Sequence, residues 1–149
     1  MTGVQTCALP IRFRPVRHQS PAEEPDREYP LYLTTGRILA HYQSGSQTRR
    51  VPELFEMAPE PMAEIHPSTA SRYGLSDGDA VTLRTRRGTA LFKVKVTSAI
   101  REDTVFVPFH WGNLQAANRL TNPALDPTSR MPEFKVCAVR VEKGQVSEQ

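Results

Sequence analysis

The sequence has little cysteine, one tryptophan and no long apolar run. Two cysteines, Cys7 and Cys137, cannot by themselves build a disulfide framework, a zinc site or an iron–sulfur ligand set. Cys137 lies inside the apolar run VCAV, where a thiol reads as a small buried hydrophobe. A reducing compartment fits this cysteine usage. No stretch approaches the roughly 20 apolar residues that a membrane-spanning helix needs. The opening MTGVQTCALPI has no Lys or Arg before Arg12, and Ala8-Leu9-Pro10-Ile11 is too short for a secretory core and carries a proline. It therefore reads as neither an export nor an organelle address. Catalytic constellations are missing too. There is no Ser–His–Asp set with a supporting motif, no framed pair of carboxylates, no metal cluster, no Walker loop and no GxGxxG.

What is present points to one globular domain. The chain has 149 residues, 38% of them hydrophobic and 23% charged, a balance that supports a packed core. A net charge of +3 suits an anionic ligand without requiring one. The 13 prolines concentrate in residues 10–30, 52–67 and 123–132, which mark connectors. Residues 12–28 are rich in Pro, Arg and Glu without periodicity and read as a linker.

The ordered pattern begins at Tyr29-Pro30. Leu31-Tyr32-Leu33 reads as a short buried strand, broken by Gly36, and Glu64-Ile65 as another. Between them, RILAHYQSGSQTRRVPEL reads as a polar loop. His66–Leu75 predicts a short helix, with Pro67 in its first turn and Gly74 at its left-handed end. Val81–Thr85 and Ala90–Val96 alternate apolar and polar residues, predicting a hairpin with one face inward and Arg86-Arg87 at a solvated tip. Thr104–Phe109 predicts a buried strand, Asn113–Leu120 a helical turn, and Phe134–Val141 the last strand. Short strands separated by turn signals make the chain mainly β (α+β), a small barrel with a few short helices.

Two regions could carry a ligand. Residues 34–50 crowd hydroxyls, amides and Arg37, Arg49 and Arg50 around Gly36 and Gly45. Such a loop suits a phosphate or pyrophosphate, because guanidinium forks and backbone N–H groups bind anions; it is also what a solvated polar loop looks like. Phe109-His110-Trp111-Gly112-Asn113 follows a buried strand, so His110 either lines a cleft or is structural. Asn118 could read a ligand edge or cap a turn. Lys135, between Phe134 and Val136, lies at an edge or reaches an anion. Basic residues are dispersed and aromatics are not interleaved with them, which disfavours a nucleic-acid platform.

LTTGRILAHYQSGSQTRRVPEL resembles the C-terminal cofactor-binding domain of the molybdopterin oxidoreductases. The resemblance continues through EIHPSTASRYGLSDGDAVTLRTRRGTA, VFVPFHWG, ANRLTNPALDP and PEFKVCAVRVEK, covering residues 27–143. Five modest motifs in the right order carry it. It implies a double-psi β-barrel and a bis(molybdopterin guanine dinucleotide) molybdenum cofactor. It implies cofactor contacts at Thr35, Gly36, Arg37, His41, Ser44, Asn118 and Lys135, and places His110 and Trp111 near a substrate funnel. Metal ligand and iron–sulfur cluster would belong to upstream domains of the same enzyme, the expected partners, with an electron donor of unstated kind. The wording is most similar to prokaryotic assimilatory nitrate reductases, in the cytoplasm, with formate dehydrogenase second. No nucleic-acid or membrane partner is implied.

Residues 1–11 resemble a translated sequencing adapter instead. The expected organisation is then a non-native extension at 1–11, an interdomain linker at 12–28, the cofactor-binding domain at 29–143 and a tail at 144–149. The rival from another class is a free-standing module for a nucleotide or single-stranded nucleic acid.

Overall fold

The computed structural model describes residue 15 and residues 17–144. The expectations for residues 1–11, including Cys7, and for the tail beyond Gly144 lie outside the described residues. Six strands form a closed barrel: β1 (Leu31–Gly36), β2 (Met62–Ile65), β3 (Ala80–Thr85), β4 (Gly88–Val96), β5 (Thr104–Pro108) and β6 (Cys137–Lys143). Their order around the barrel is β1-β5-β2-β4-β3-β6. Strands β1 and β5 pair in parallel, as do β2 and β4; all other neighbours are antiparallel.

That order contains a hidden symmetry. Exchanging β1 with β4, β2 with β5 and β3 with β6 maps every pairing onto one of the same polarity. Each half is a strand triplet, and a two-fold axis passes between β2 and β5. This is the double-psi β-barrel that the sequence resemblance implies.

The alternation of apolar residues fills the barrel. Leu31, Leu33, Ile65, Val81, Leu83, Val94, Val105, Val107 and Val139 are all essentially inaccessible. Burying each such side chain is worth roughly 1.5–3 kcal/mol, and the β-branched valines and Ile65 among them suit the pleat. On β4, Ala90, Phe92 and Val94 point inward while Leu91, Lys93 and Lys95 face out, as the alternation predicts. Cys137 is buried, and that burial pushes its thiol up to about 11.

Helix α1 spans Pro52–Met57 and α2 spans Pro67–Arg72. Helix α2 follows its sequence signals. The His66 ring accepts the Ser68 N–H at 3.2 Å, Pro67 opens the first turn, and Gly74 is left-handed at φ +61°. Helix α1 begins inside the segment expected to be loop and runs past its end; Pro52 starts it, yet it buries none of its residues. No described helix is long and apolar enough to cross a membrane.

Two further expectations are corrected. The last strand starts at Cys137 rather than Phe134, because its ladder with β1 ends at the pair Leu33–Cys137. Beyond that pair, side chains take over the backbone acceptors, as described below. The Arg86-Arg87 tip is not simply solvated. Arg86 and Arg87 both hold the Glu23 carboxylate, Arg86 also pairs with Asp26, and Arg87 Nη2 donates to the Leu120 carbonyl at 2.8 Å. The segment expected to be a linker consequently packs onto the barrel at Glu23, which also accepts the Ala138 N–H at 3.1 Å. Ala138 lies just past the point where β3 and β6 stop pairing, so the carboxylate replaces a missing strand partner.

Candidate functional site

Parallel pairing brings the ends of β1 and β5 to the same pole of the barrel. Gly36 lies opposite Pro108, and the Phe109 N–H donates to the Gly36 carbonyl at 3.2 Å. Arg37 and Phe109 therefore leave the barrel side by side. Gly36 is required there because a Cβ would run into the edge of the Phe106 ring on β5.

Beyond these strand ends lies a groove of about 690 Å³, lined by Thr35, Arg37, Gln43, Phe109, Asn118, Phe134 and Lys135. No carboxylate among the described residues lines it. Lys135 Nζ donates to the Thr35 carbonyl at 2.7 Å and lies 5.7 Å from the Phe109 ring centre and 5.3 Å from that of Phe134. The ammonium is thus held by one acceptor and two aromatic faces, leaving N–H bonds free for an anion. The Thr35 hydroxyl donates to the Phe134 carbonyl at 2.9 Å, closing the same wall.

Of the expected contacts, Thr35, Arg37, Asn118 and Lys135 meet in this groove. Gly36 does not line it, but lies between Thr35 and Arg37, which do. The others have different places. His41 is buried; its Nδ1 lies 3.1 Å from the Thr48 hydroxyl and its Nε2 2.8 Å from the Ala58 carbonyl. Nε2 must carry a proton to meet a carbonyl, and Nδ1 is engaged by the Thr48 hydroxyl. His41 therefore fastens the loop internally. Ser44 is exposed, with its hydroxyl 2.5 Å from that of Ser46.

His110, expected near a substrate funnel, is fully buried with both ring nitrogens engaged inside the domain. Nε2 accepts the Ile38 N–H at 2.9 Å, and Nδ1 faces the Gln43 carbonyl. A backbone N–H needs a lone pair, so the ring is neutral with its proton on Nδ1. Burial, the largest influence, also lowers its pKa, reinforced by His41, Arg37 and Arg49. The ring thus pins both ends of the segment from Ile38 to Gln43 and presents neither nitrogen to a ligand. Trp111 is half-buried and packs edge-on against His41, with centroids 5.1 Å apart, beneath the Arg49 guanidinium.

The two histidines explain why Gln43 faces the groove. Gln43 is left-handed at φ +49°, an uncommon state for its type, and Gly45 follows at φ +71° with the His110 carbonyl 3.1 Å from where a Cβ would stand. Gln43, Phe109 and Phe134 were not singled out from the sequence. The two aromatics flank His110 and Lys135 in the motifs, which was the available signal.

Cations, amides and aromatic faces around a groove without a carboxylate among the described residues suit a planar, anionic ligand. The comparisons with known proteins specify the class. The model of the molydopterin dinucleotide binding domain matches residues 31–138, and the chain belongs to that family. Its cofactor is accordingly a molybdopterin dinucleotide. The chain is 48% identical over 121 residues to the assimilatory nitrate reductase catalytic subunit of Bacillus subtilis, covering 81% of this chain and 17% of that protein. It is 44% identical over 128 residues to the F420-dependent formate dehydrogenase 1 subunit alpha of Methanococcus maripaludis, covering 86% and 19%. The chain thus spans less than a fifth of the length of these curated relatives. Among solved structures, acetylene hydratase from Pelobacter acetylenicus shares the fold at a TM-score of 0.70 and 24% identity, over 78% of this chain and 19% of that one.

Proposed function

We propose that the groove between Thr35, Arg37, Asn118 and Lys135 grips the guanine dinucleotide arm of a bis(molybdopterin guanine dinucleotide) cofactor. The convergence of these residues from segments about a hundred positions apart carries the proposal. Their chemistry fits the ligand. Arg37 and Lys135 suit the pyrophosphate, Phe109 and Phe134 offer flat apolar faces, and the Asn118 amide can pair with a base edge. When bound, the molybdenum centre supplies the redox chemistry, and the residues described here bind and orient its organic arm.

The domain then forms the C-terminal part of a larger cytoplasmic molybdenum oxidoreductase, its partners being the upstream domains that hold the metal and an iron–sulfur cluster. The parent enzyme reduces nitrate to nitrite, a reading supported by the 48% identity to an assimilatory nitrate reductase subunit. A formate dehydrogenase parent is the second reading, supported by 44% identity to that class. Assaying the intact parent with reduced dye and nitrate, against oxidised dye and formate, separates the two.

Calorimetric titration of the 149-residue chain with GDP, ADP and a single-stranded oligonucleotide tests the groove itself. We expect weak GDP binding that exceeds ADP binding. Equal affinity for both nucleotides, or tight and strongly salt-dependent oligonucleotide binding, would overturn the assignment in favour of a general binding module.

A further inference from the structure

Two groove residues come from turns that lie outside the barrel ladders. Asn118 sits in a 3-10 turn at Ala117–Arg119, and Lys135 precedes the start of β6. Backbone pairing joins their flanks only farther away, where the Glu133 N–H meets the Ala124 carbonyl at 2.9 Å and the Asp126 N–H meets the Met131 carbonyl at 2.8 Å. Between that pairing and the groove stands Asn122, 6% exposed.

The Asn122 amide is used at both ends. Its Nδ2 donates to the Val136 carbonyl at 2.6 Å and lies 3.4 Å from Glu133 Oε2, while its Oδ1 accepts the Ala124 N–H at 2.9 Å. Val136 follows Lys135 directly, and Asn122 follows Asn118 by four residues. Between Asn118 and Asn122, the Leu120 carbonyl is fixed by Arg87 Nη2. One buried side chain thus ties together the two turns that bring Asn118 and Lys135 to the groove. An unpaired buried amide is costly, so the turns have little freedom to separate while Asn122 stays bonded.

We propose that Asn122 is a positioning residue that sets the separation between Asn118 and Lys135, and that it acts on a bound diphosphate through Lys135. Its ligand arm rests on the cofactor assignment above; its structural arm does not. Asn122→Asp preserves the acceptor for Ala124 but removes the donor to Val136, so it breaks the tie at nearly constant size.

The test uses the 149-residue chain with Asn122→Ala, Asn122→Asp, Lys135→Ala and the Asn122→Ala/Lys135→Ala pair. Two quantities are read: the ¹⁵N signal of the Lys135 ammonium without ligand, and the Kd for GDP. In both Asn122 variants we expect dispersed spectra, a displaced Lys135 signal and GDP affinity weakened about tenfold, the scale of one buried hydrogen bond. The pair should bind no more weakly than Lys135→Ala alone, because residues acting through one contact are not additive. A purely structural Asn122 predicts additive losses and an unmoved Lys135 signal, and either result overturns the proposal. Should Asn122→Ala unfold, Asn122→Asp decides on the same two readouts. If the unmodified chain binds no GDP, the cofactor assignment fails, while the Lys135 signal still decides whether the tie exists.

Discussion

Lys135 and Thr35 are locked to each other across a hundred positions of sequence. The ammonium donates to the Thr35 carbonyl at 2.7 Å, and the Thr35 hydroxyl donates at 2.9 Å to the carbonyl of Phe134, Lys135's neighbour. The end of β1 and the approach to β6 are therefore joined by side chains where their ladder has stopped. The same contact aims the Lys135 charge at the groove.

Replacing Lys135 by Ala removes both the anchor and the charge. We expect GDP affinity to fall by about 1.5–3 kcal/mol, the usual range for a hydrogen bond to a charged group, with a smaller loss in thermal stability. Arg37→Ala should weaken binding comparably without changing stability, because Arg37 is exposed. Unchanged GDP affinity in either variant, by calorimetry, would remove that residue from the site.

Gly36→Ala places a methyl group against the Phe106 ring. Overpacking of this kind costs about 1–3 kcal/mol. Urea denaturation should show that loss, and Phe106→Leu added to Gly36→Ala should recover part of it. A Gly36→Ala protein as stable as the original would show that the ring moves aside freely.

His110 gives the fold a pH dependence of definite sign. Its folded pKa lies below the ordinary 6.5, so at intermediate pH the unfolded chain takes up a proton that the folded one refuses. The resulting stability is complete above pH 6.5 and is lost as the pH falls through the folded value. Protonation would also remove the lone pair that holds the Ile38 N–H. An NMR titration should find an Nδ1-protonated neutral ring at pH 7, titrating below 6.5. A ring already charged at pH 7 would contradict the tautomer assigned here.

Cys137 should be chemically silent in the folded chain. A thiol pushed up to about 11 and buried carries almost no thiolate at pH 8. In a Cys7→Ser background, labelling by a thiol-specific disulfide reagent should follow unfolding alone. Prompt labelling in native buffer would mean that the β6 end opens locally.

Much of this was legible from residue spacing. The alternation along β3 and β4 exposed the hairpin because one face is buried and a register slip would invert it. Helix α2 was readable because proline and glycine bracket it. Helix α1 was not, since it buries no residue and so leaves no periodic imprint. The Arg86-Arg87 tip looked solvated because its carboxylate partner, Glu23, lies about sixty positions away in a stretch without pattern. Local sequence cannot show so distant a pairing. For the same reason local sequence left open whether His110 lines a cleft or is structural, and only the family resemblance set His41 and His110 toward a ligand: a polar ring beside glycines and arginines looks the same whether it turns outward or inward. The groove residues emerged together only through resemblance to a family, and the barrel then supplied their common location.

The two-fold relation between the strand triplets has a consequence for how this scaffold varies. Its exchange of β1 with β4 and β5 with β2 gives the barrel two equivalent poles. At one pole, the excursions after β1 and β5 run over residues 37–61 and 109–136 and build the groove. At the other, the excursions after β4 and β2 cover only 97–103 and 66–79. A symmetric frame thus bears an asymmetric load, and the lightly furnished pole is where insertions or grafted recognition loops should be tolerated without disturbing ligand capture.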